Sequence, residues 1–296
     1  MRKNKKSFFT LLEVLVSMGV FSLLMLALMQ FFSAAQGVWE RTGNKAELFE
    51  SAKTTMDIIA NDLACAYYEM DHDSNYQFFS ISSTDTSQVV FAAQKEDGNA
   101  QIVYGWDNGT WKIYRYEKKE SDVFTAGTAT PSGNWFTRSG KTAWITDMTG
   151  PSGSPAWKND SYSLAENVLD FRVTAYKRGA LTTPISVSTS ASDKFPDIVM
   201  VSMTILSNDA HEKLHNRFAS ESDKDAAIRT LFNTTTFQYI KSDGSDSNES
   251  EKITVRQMLI DGTPPAGGDD TTQMILFKGC QRFTRAVSLV DRVPYP

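Results

Sequence analysis

The 296-residue sequence predicts an α+β protein: a long N-terminal helix, half of it suited to a membrane and half amphipathic, packed on an antiparallel β-sheet head. Three observations carry that reading. Residues 14–35 form an uncharged run of Leu, Met, Phe, Val and Ala. After it, Leu48, Ala52, Met56, Ile59 and Leu63 recur at helical spacing. From residue 77 onward, short runs rich in Val, Ile, Phe and Tyr alternate with turn residues.

The apolar run is 22 residues long, about 33 Å as a helix at about 1.5 Å per residue, which spans a bilayer core. Arg2, Lys3, Lys5 and Lys6 precede it with no acidic neighbour, so the positive-inside rule places the N-terminus in the cytoplasm and the rest of the chain outside. The first eight residues hold four of the 30 Lys and Arg, leaving 26 against 35 Asp and Glu, a balance of −9 for residues 9–296. An acidic exterior argues against nucleic acid as a partner, because phosphate binding needs clustered cations.

The stripe from Leu48 to Leu63 predicts an amphipathic helix over residues 38–67. Strands are expected at 77–82, 88–93, 101–106, 110–117, 164–176 and 197–206. The third and fourth flank Asp107-Asn108-Gly109, a hairpin signal because Asn-Gly tolerates positive φ. Residues 126–134, 149–159 and 181–192 read as loops. Beyond residue 206 a helix is expected over 209–232, a mobile acidic loop over 242–251, and two closing strands at 272–277 and 281–290. The organisation is a leader (1–8), a membrane helix (9–36), an amphipathic helix (37–68) and a β-rich head (69–296) with an insertion around 207–271.

Glu13 is anomalous. A carboxylate at the start of a membrane run costs on the order of 2–3 kcal/mol on insertion scales. A cleaved signal peptide has a shorter core, and a plain anchor gives Glu13 no purpose. The stretch Phe9-Thr10-Leu11-Leu12-Glu13-Val14-Leu15-Val16 resembles the N-terminus of type IV pilins and type II secretion pseudopilins. That family has a short basic leader, a cut before Phe, and Glu at the fifth mature position. The resemblance implies cleavage between Phe8 and Phe9 by a prepilin peptidase, N-methylation of Phe9, and a filament in which Glu13 pairs with a neighbour's α-ammonium. Phe8 departs from the small residue, usually Gly, found there in the family; a cut after Ser7 would make Glu13 the sixth mature residue.

Further stretches resemble J-type minor pseudopilins and W-type minor pilins: Ile113-Tyr114-Arg115-Tyr116, Leu164-Ala165-Glu166-Asn167-Val168-Leu169-Asp170-Phe171 and Phe195-Pro196-Asp197-Ile198-Val199-Met200-Val201. With the N-terminal signature they cover residues 9–206. The resemblance implies a non-enzymatic minor subunit, without cofactor, that initiates or caps a filament. Its partners would be other pilin-like subunits, the prepilin peptidase, the membrane and an inner-membrane assembly platform. It would be a single-pass protein of a bacterial inner membrane with a periplasmic or extracellular head.

Two alternatives stand beside this one. His211-Glu212-Lys213-Leu214-His215 matches H-E-x-x-H, in which two imidazoles one helical turn apart hold zinc and the Glu activates its water, giving an anchored metalloprotease. The surroundings Asp209, Lys213, Asn216 and Arg217 suit a solvated helix instead, and a third ligand would have to be improvised from Glu221 or Glu249. A plain signal-anchored or secreted binding domain is the other. Asp71-His72-Asp73-Ser74-Asn75 opens like a calcium loop but has Tyr76 where Gly is needed and Ser82 where Glu should close the shell. Cys65 and Cys280 would form one disulfide in an oxidising compartment or stand as two separate thiols.

Overall fold

The computed structural model describes residues 10–67, 79–81, 87–96, 98–120, 158–185, 187, 195–218, 224–247, 251–268 and 271–289. The leader with Phe8 and Phe9, the Asp71–Asn75 stretch with Tyr76 and Ser82, and the loops at 126–134 and 149–157 lie outside them. Helix α1 runs Leu11–Ala64, 54 residues, so the two expected helices are one. The chain divides into two compact units, Met1–Glu47 and Leu48–Pro296.

In the first unit, Leu11–Gln36 is long and apolar enough to cross a membrane by length and composition, and none of it is buried. The run holds no Pro to break it. The hydroxyls of Ser17 and Ser22 donate to the carbonyls of Glu13 (2.6 Å) and Met18 (2.8 Å), so these polar groups are satisfied within the helix itself.

In the second unit, α1 buries the stripe the spacing predicts: Ala52, Ile59 and Leu63 are fully buried, Met56 nearly so, and Leu48 packs at the margin. Burial of each large aliphatic side chain is worth about 1.5–3 kcal/mol. The stripe meets two antiparallel sheets in one core. The first has the order β1-β2-β3-β4-β5, from Phe79–Ile81, Gln88–Lys95, Gly98–Asp107, Lys112–Lys119 and Ser163–Ala165. The second has the order β10-β7-β6, from Cys280–Ser288, Ile198–Leu206 and Val168–Tyr176. A two-stranded ladder joins β8 (Thr236–Phe237) and β9 (Ile253–Thr254).

Four expectations are corrected. Residues 164–176 are two strands: Asn167 adopts φ +57°, and the chain leaves the first sheet after β5 to enter the second as β6. Asn is among the few residues that enter this left-handed region readily. The β3–β4 turn is in the expected place but works differently. The Trp111 N–H donates to the Asp107 carbonyl at 2.8 Å, Trp111 takes φ +56°, and the Asp107 carboxylate accepts from Gly109 N–H (3.0 Å) and the Thr110 hydroxyl (2.9 Å). The left-handed residue is therefore Trp111, not Asn108 or Gly109.

Residues 209–232 hold two helices, α2 (Asn208–His215, capped by the Ser207 hydroxyl) and α3 (Lys224–Asn233). Within the expected 242–251 loop, the described residues 242–247 form a tight turn, with Asp243 accepting from Ser245 and Ile240 bridged to Asp246. The expected strand at 272–277 is helix α5 (Thr272–Gly279). It buries Met274 and Leu276 and ends where a Cβ on Gly279 would stand 2.1 Å from that of Ala210 on α2. With α4 (Val255–Asp261), these helices enclose a second cluster that includes Leu214, Ile228, Phe232, Val255 and Leu276 and reaches Trp111, Leu169 and Leu206.

Candidate functional site

Glu13 lies in the first turn of α1. Its carboxylate accepts from the Thr10 N–H and hydroxyl, both at 3.2 Å, and the Thr10 hydroxyl accepts from the Glu13 N–H at 3.3 Å. This reciprocal pair is a capping box of the Thr-x-x-Glu kind, which satisfies donors the helix start leaves open. Among the described residues no cation pairs with Glu13. The carboxylate therefore has a local role the sequence reading missed, although Thr10-Leu11-Leu12-Glu13 spells it out.

In the second unit, a half-buried charge network centres on Asp62 of α1. Tyr104 of β3 donates its phenol to Oδ2 at 2.5 Å, and Arg115 of β4 donates Nε to the same oxygen at 2.7 Å. Lys95 of β2 stands 3.6 Å from Oδ1. Lys95 and Arg115 each also donate to Glu117 at 2.7 Å. Two carboxylates thus balance two cations, and one helix is tied to three strands. Burial and then the Asp62 charge push the Tyr104 phenol far above its usual range. Burial is the largest influence on Glu117 and would raise it, but the bonds from Lys95 and Arg115 outweigh it and hold the carboxyl below its ordinary value. For Arg115, burial works against the charge, yet the bonds to Asp62 and Glu117 win and raise its pKa. Arg115 belongs to the aromatic-Arg pair picked out in the sequence; Asp62, Tyr104, Lys95 and Glu117 did not stand out there.

The HExxH residues occupy α2. His211 sets its ring edge against Trp111 (centroids 5.6 Å) and lies 5.3 Å from His215, while Glu212 is exposed. Among the described residues no three His, Cys, Asp or Glu side chains gather to hold a metal; Glu221 and Glu249 lie outside those residues. What α2 buries is Ala210 and Leu214, so it serves as a packing helix of the second cluster. Cys65 and Cys280 are free thiols, Cys65 exposed past the end of α1 and Cys280 buried in the second cluster, where burial raises its pKa.

The fold and these sites define an α+β protein with an exposed apolar run, Leu11–Gln36, and a β-rich second unit whose first sheet is tied to Asp62 of α1 by a charge network. No family model and no curated protein matches the chain. It is similar to a solved structure, a type IV-like pilin from Thermus thermophilus, at 14% identity over 81% of this chain and 96% of that chain, with a TM-score of 0.31. A likeness that loose carries no argument about function.

Proposed function

We propose that the chain is a minor pilin or pseudopilin subunit that helps initiate or cap a type IV pilus-like or type II secretion filament. The observation that carries the reading is Glu13, the fifth residue past the Phe8/Phe9 junction, at the head of an exposed apolar helix that continues into an amphipathic half with one buried stripe. A carboxylate in lipid is costly unless a cation meets it, and a neighbour's N-methylated α-ammonium would be that cation. The capping box holds Glu13 in the meantime: Thr10 satisfies one of its oxygens and leaves lone pairs for a second donor. In this reading the leader stays cytoplasmic, a prepilin peptidase removes it, and the head folds in the periplasm.

Mass spectrometry of the N-terminus of the protein from membranes tests the reading. Phe9 carrying an N-methyl group is expected, and Phe8→Gly should accelerate its appearance. A mature chain beginning at Gln36 would mean ordinary signal-peptide cleavage and defeat the proposal.

A further inference from the structure

The second sheet has two unlike faces. Phe171, Met203 and Phe283 stand opposite one another across β6, β7 and β10 on the face that joins the core, as do Val173 and Val201. On the opposite face, Asp170 stands beside Thr204 and Thr204 beside Arg282; two residues along, Arg172 stands beside Ser202 and Ser202 beside Thr284. Cross-strand partners share a face, so these six side chains lie on one polar face, on which Asp170, Ser202 and Thr204 are buried and the arginines stand at its exposed margins. Arg256 reaches the same surface from α4.

Among the described residues the charge on this face does not balance. Asp170 accepts from Arg256 Nε at 3.1 Å and from Arg172 Nε at 3.3 Å. Arg282 has no hydrogen-bond or ion-pair partner among the described residues, so three guanidinium groups share one carboxylate. Both bonds to Asp170 use Nε, which leaves the outer Nη fork of each guanidinium to other ligands. The crowding is felt: burial first, then the charges of Arg172 and Arg282, bring Arg256 below its ordinary pKa despite Asp170. Arg172 is 45% exposed and Arg256 22%, so the forks are within reach of another molecule. All this belongs to a chain that is otherwise acidic, with a balance of −9 over residues 9–296.

We propose that this outer face, where Arg172, Arg256 and Arg282 gather around Asp170, is a docking surface for an acidic protein partner that presents paired carboxylates. Planar guanidinium forks match carboxylates in two-bond geometry. Arg172 and Arg282 sit on strands separated by β7 and are offset by two residues along them, about 12 Å apart, which suits two carboxylates along a polypeptide better than one small anion. The one anion that the described residues place on this face is itself a carboxylate. Asp170–Arg256 fixes α4 to the sheet, while Arg172 and Arg282 supply the surplus charge. The inference is independent of the filament reading.

The test is fluorescence anisotropy of a labelled hexaglutamate peptide with the full chain in neutral detergent, at low salt and at about 0.2 M salt. Binding should weaken at least about tenfold in the Arg172→Gln/Arg282→Gln double variant and stay unchanged in Lys213→Gln, which removes an exposed cation on α2. Arg282→Lys, which keeps the charge but loses the fork, should weaken binding about threefold and serves if the double variant fails to unfold cooperatively. Equal binding by the double variant, by Arg282→Lys, or by hexaglutamine overturns the proposal. Tighter binding of an equally charged single-stranded DNA would also overturn it, since that would make the surface a phosphate site.

Discussion

Replacing Asp62 by Asn probes the network that ties α1 to the first sheet. The Asp62 side chain is 12% exposed, so its charge is little screened by solvent. Asn can keep its oxygen in place of Oδ2 and still accept from Tyr104 and Arg115, but its amide then faces Lys95 and the network is left one positive charge in excess. Charge-assisted hydrogen bonds contribute about 1.5–3 kcal/mol against about 0.5–1.5 for neutral ones, so two weakened bonds and the unbalanced cations should cost about 2–3 kcal/mol. Asp62→Ala also leaves the buried Tyr104 hydroxyl without its acceptor and Arg115 without its nearest carboxylate, and should cost about 3–5 kcal/mol. Lys95→Met, which touches Asp62 only at 3.6 Å, should cost about 1 kcal/mol or less. For a body of this size each kcal/mol moves the melting temperature by about 2–4 °C, so Asp62→Asn should melt about 4–12 °C below the parent. Thermal unfolding followed by tryptophan fluorescence measures this. An Asp62→Asn protein that melts with the parent, or no lower than Lys95→Met, would refute the claim that Asp62 is the centre of the network.

Three further outcomes are expected. Gly279→Ala places a methyl group where Ala210 Cβ already stands, 2.1 Å away, and should destabilise by about 1–3 kcal/mol in urea titration, whereas Gly244→Ala, with open space around it, should cost only what its φ of +83° imposes. Glu117, Asp107 and Asp197 are held below their ordinary values of 4.5, 3.8 and 3.8, so the unfolded chain binds protons more readily. Their stabilisation is complete above those values and lost as the pH falls through the depressed ones, and the urea midpoint should hold from pH 7 to about 5 and drop below about 4. His211→Ala should lower stability by loss of its contact with Trp111 without changing metal content, and a stoichiometric zinc lost with His211 would revive the hydrolase alternative.

Most of the architecture was legible because it rests on periodicity. The spacing of Leu48, Ala52, Met56, Ile59 and Leu63 is the face α1 buries, and the hairpin signal at Asp107 stands between β3 and β4. Short apolar runs were harder. Met274-Ile275-Leu276-Phe277 suits strand or helix equally, and the close fit of Gly279 on Ala210, invisible in one dimension, accompanies the helix. Asp62 was overlooked because a charge near a helix end reads as solvated, yet it lies three residues from Ile59 and so on the buried side of α1. The sheet change at Asn167 depends on one left-handed residue, which no pattern of hydrophobicity encodes. The arginine surface was hidden for another reason: Arg172, Arg256 and Arg282 come from three elements distant in sequence and meet only through the strand register.

The claim that Glu13 is a docking charge can be separated from its capping role by two substitutions. Glu13→Leu removes the carboxylate, whereas Thr10→Val keeps it and breaks the capping box, at about 1 kcal/mol of helix stability. Site-specific crosslinking between the apolar helix and other pilin-like subunits in membranes, with N-terminal processing followed in the same samples, is the direct measurement. The account expects both variants to insert, Thr10→Val to crosslink as the parent does, and Glu13→Leu to lose crosslinks, because an unpaired α-ammonium in a low-dielectric interface costs about 3–5 kcal/mol. Undiminished crosslinking by Glu13→Leu, or equal losses in both variants, would contradict it.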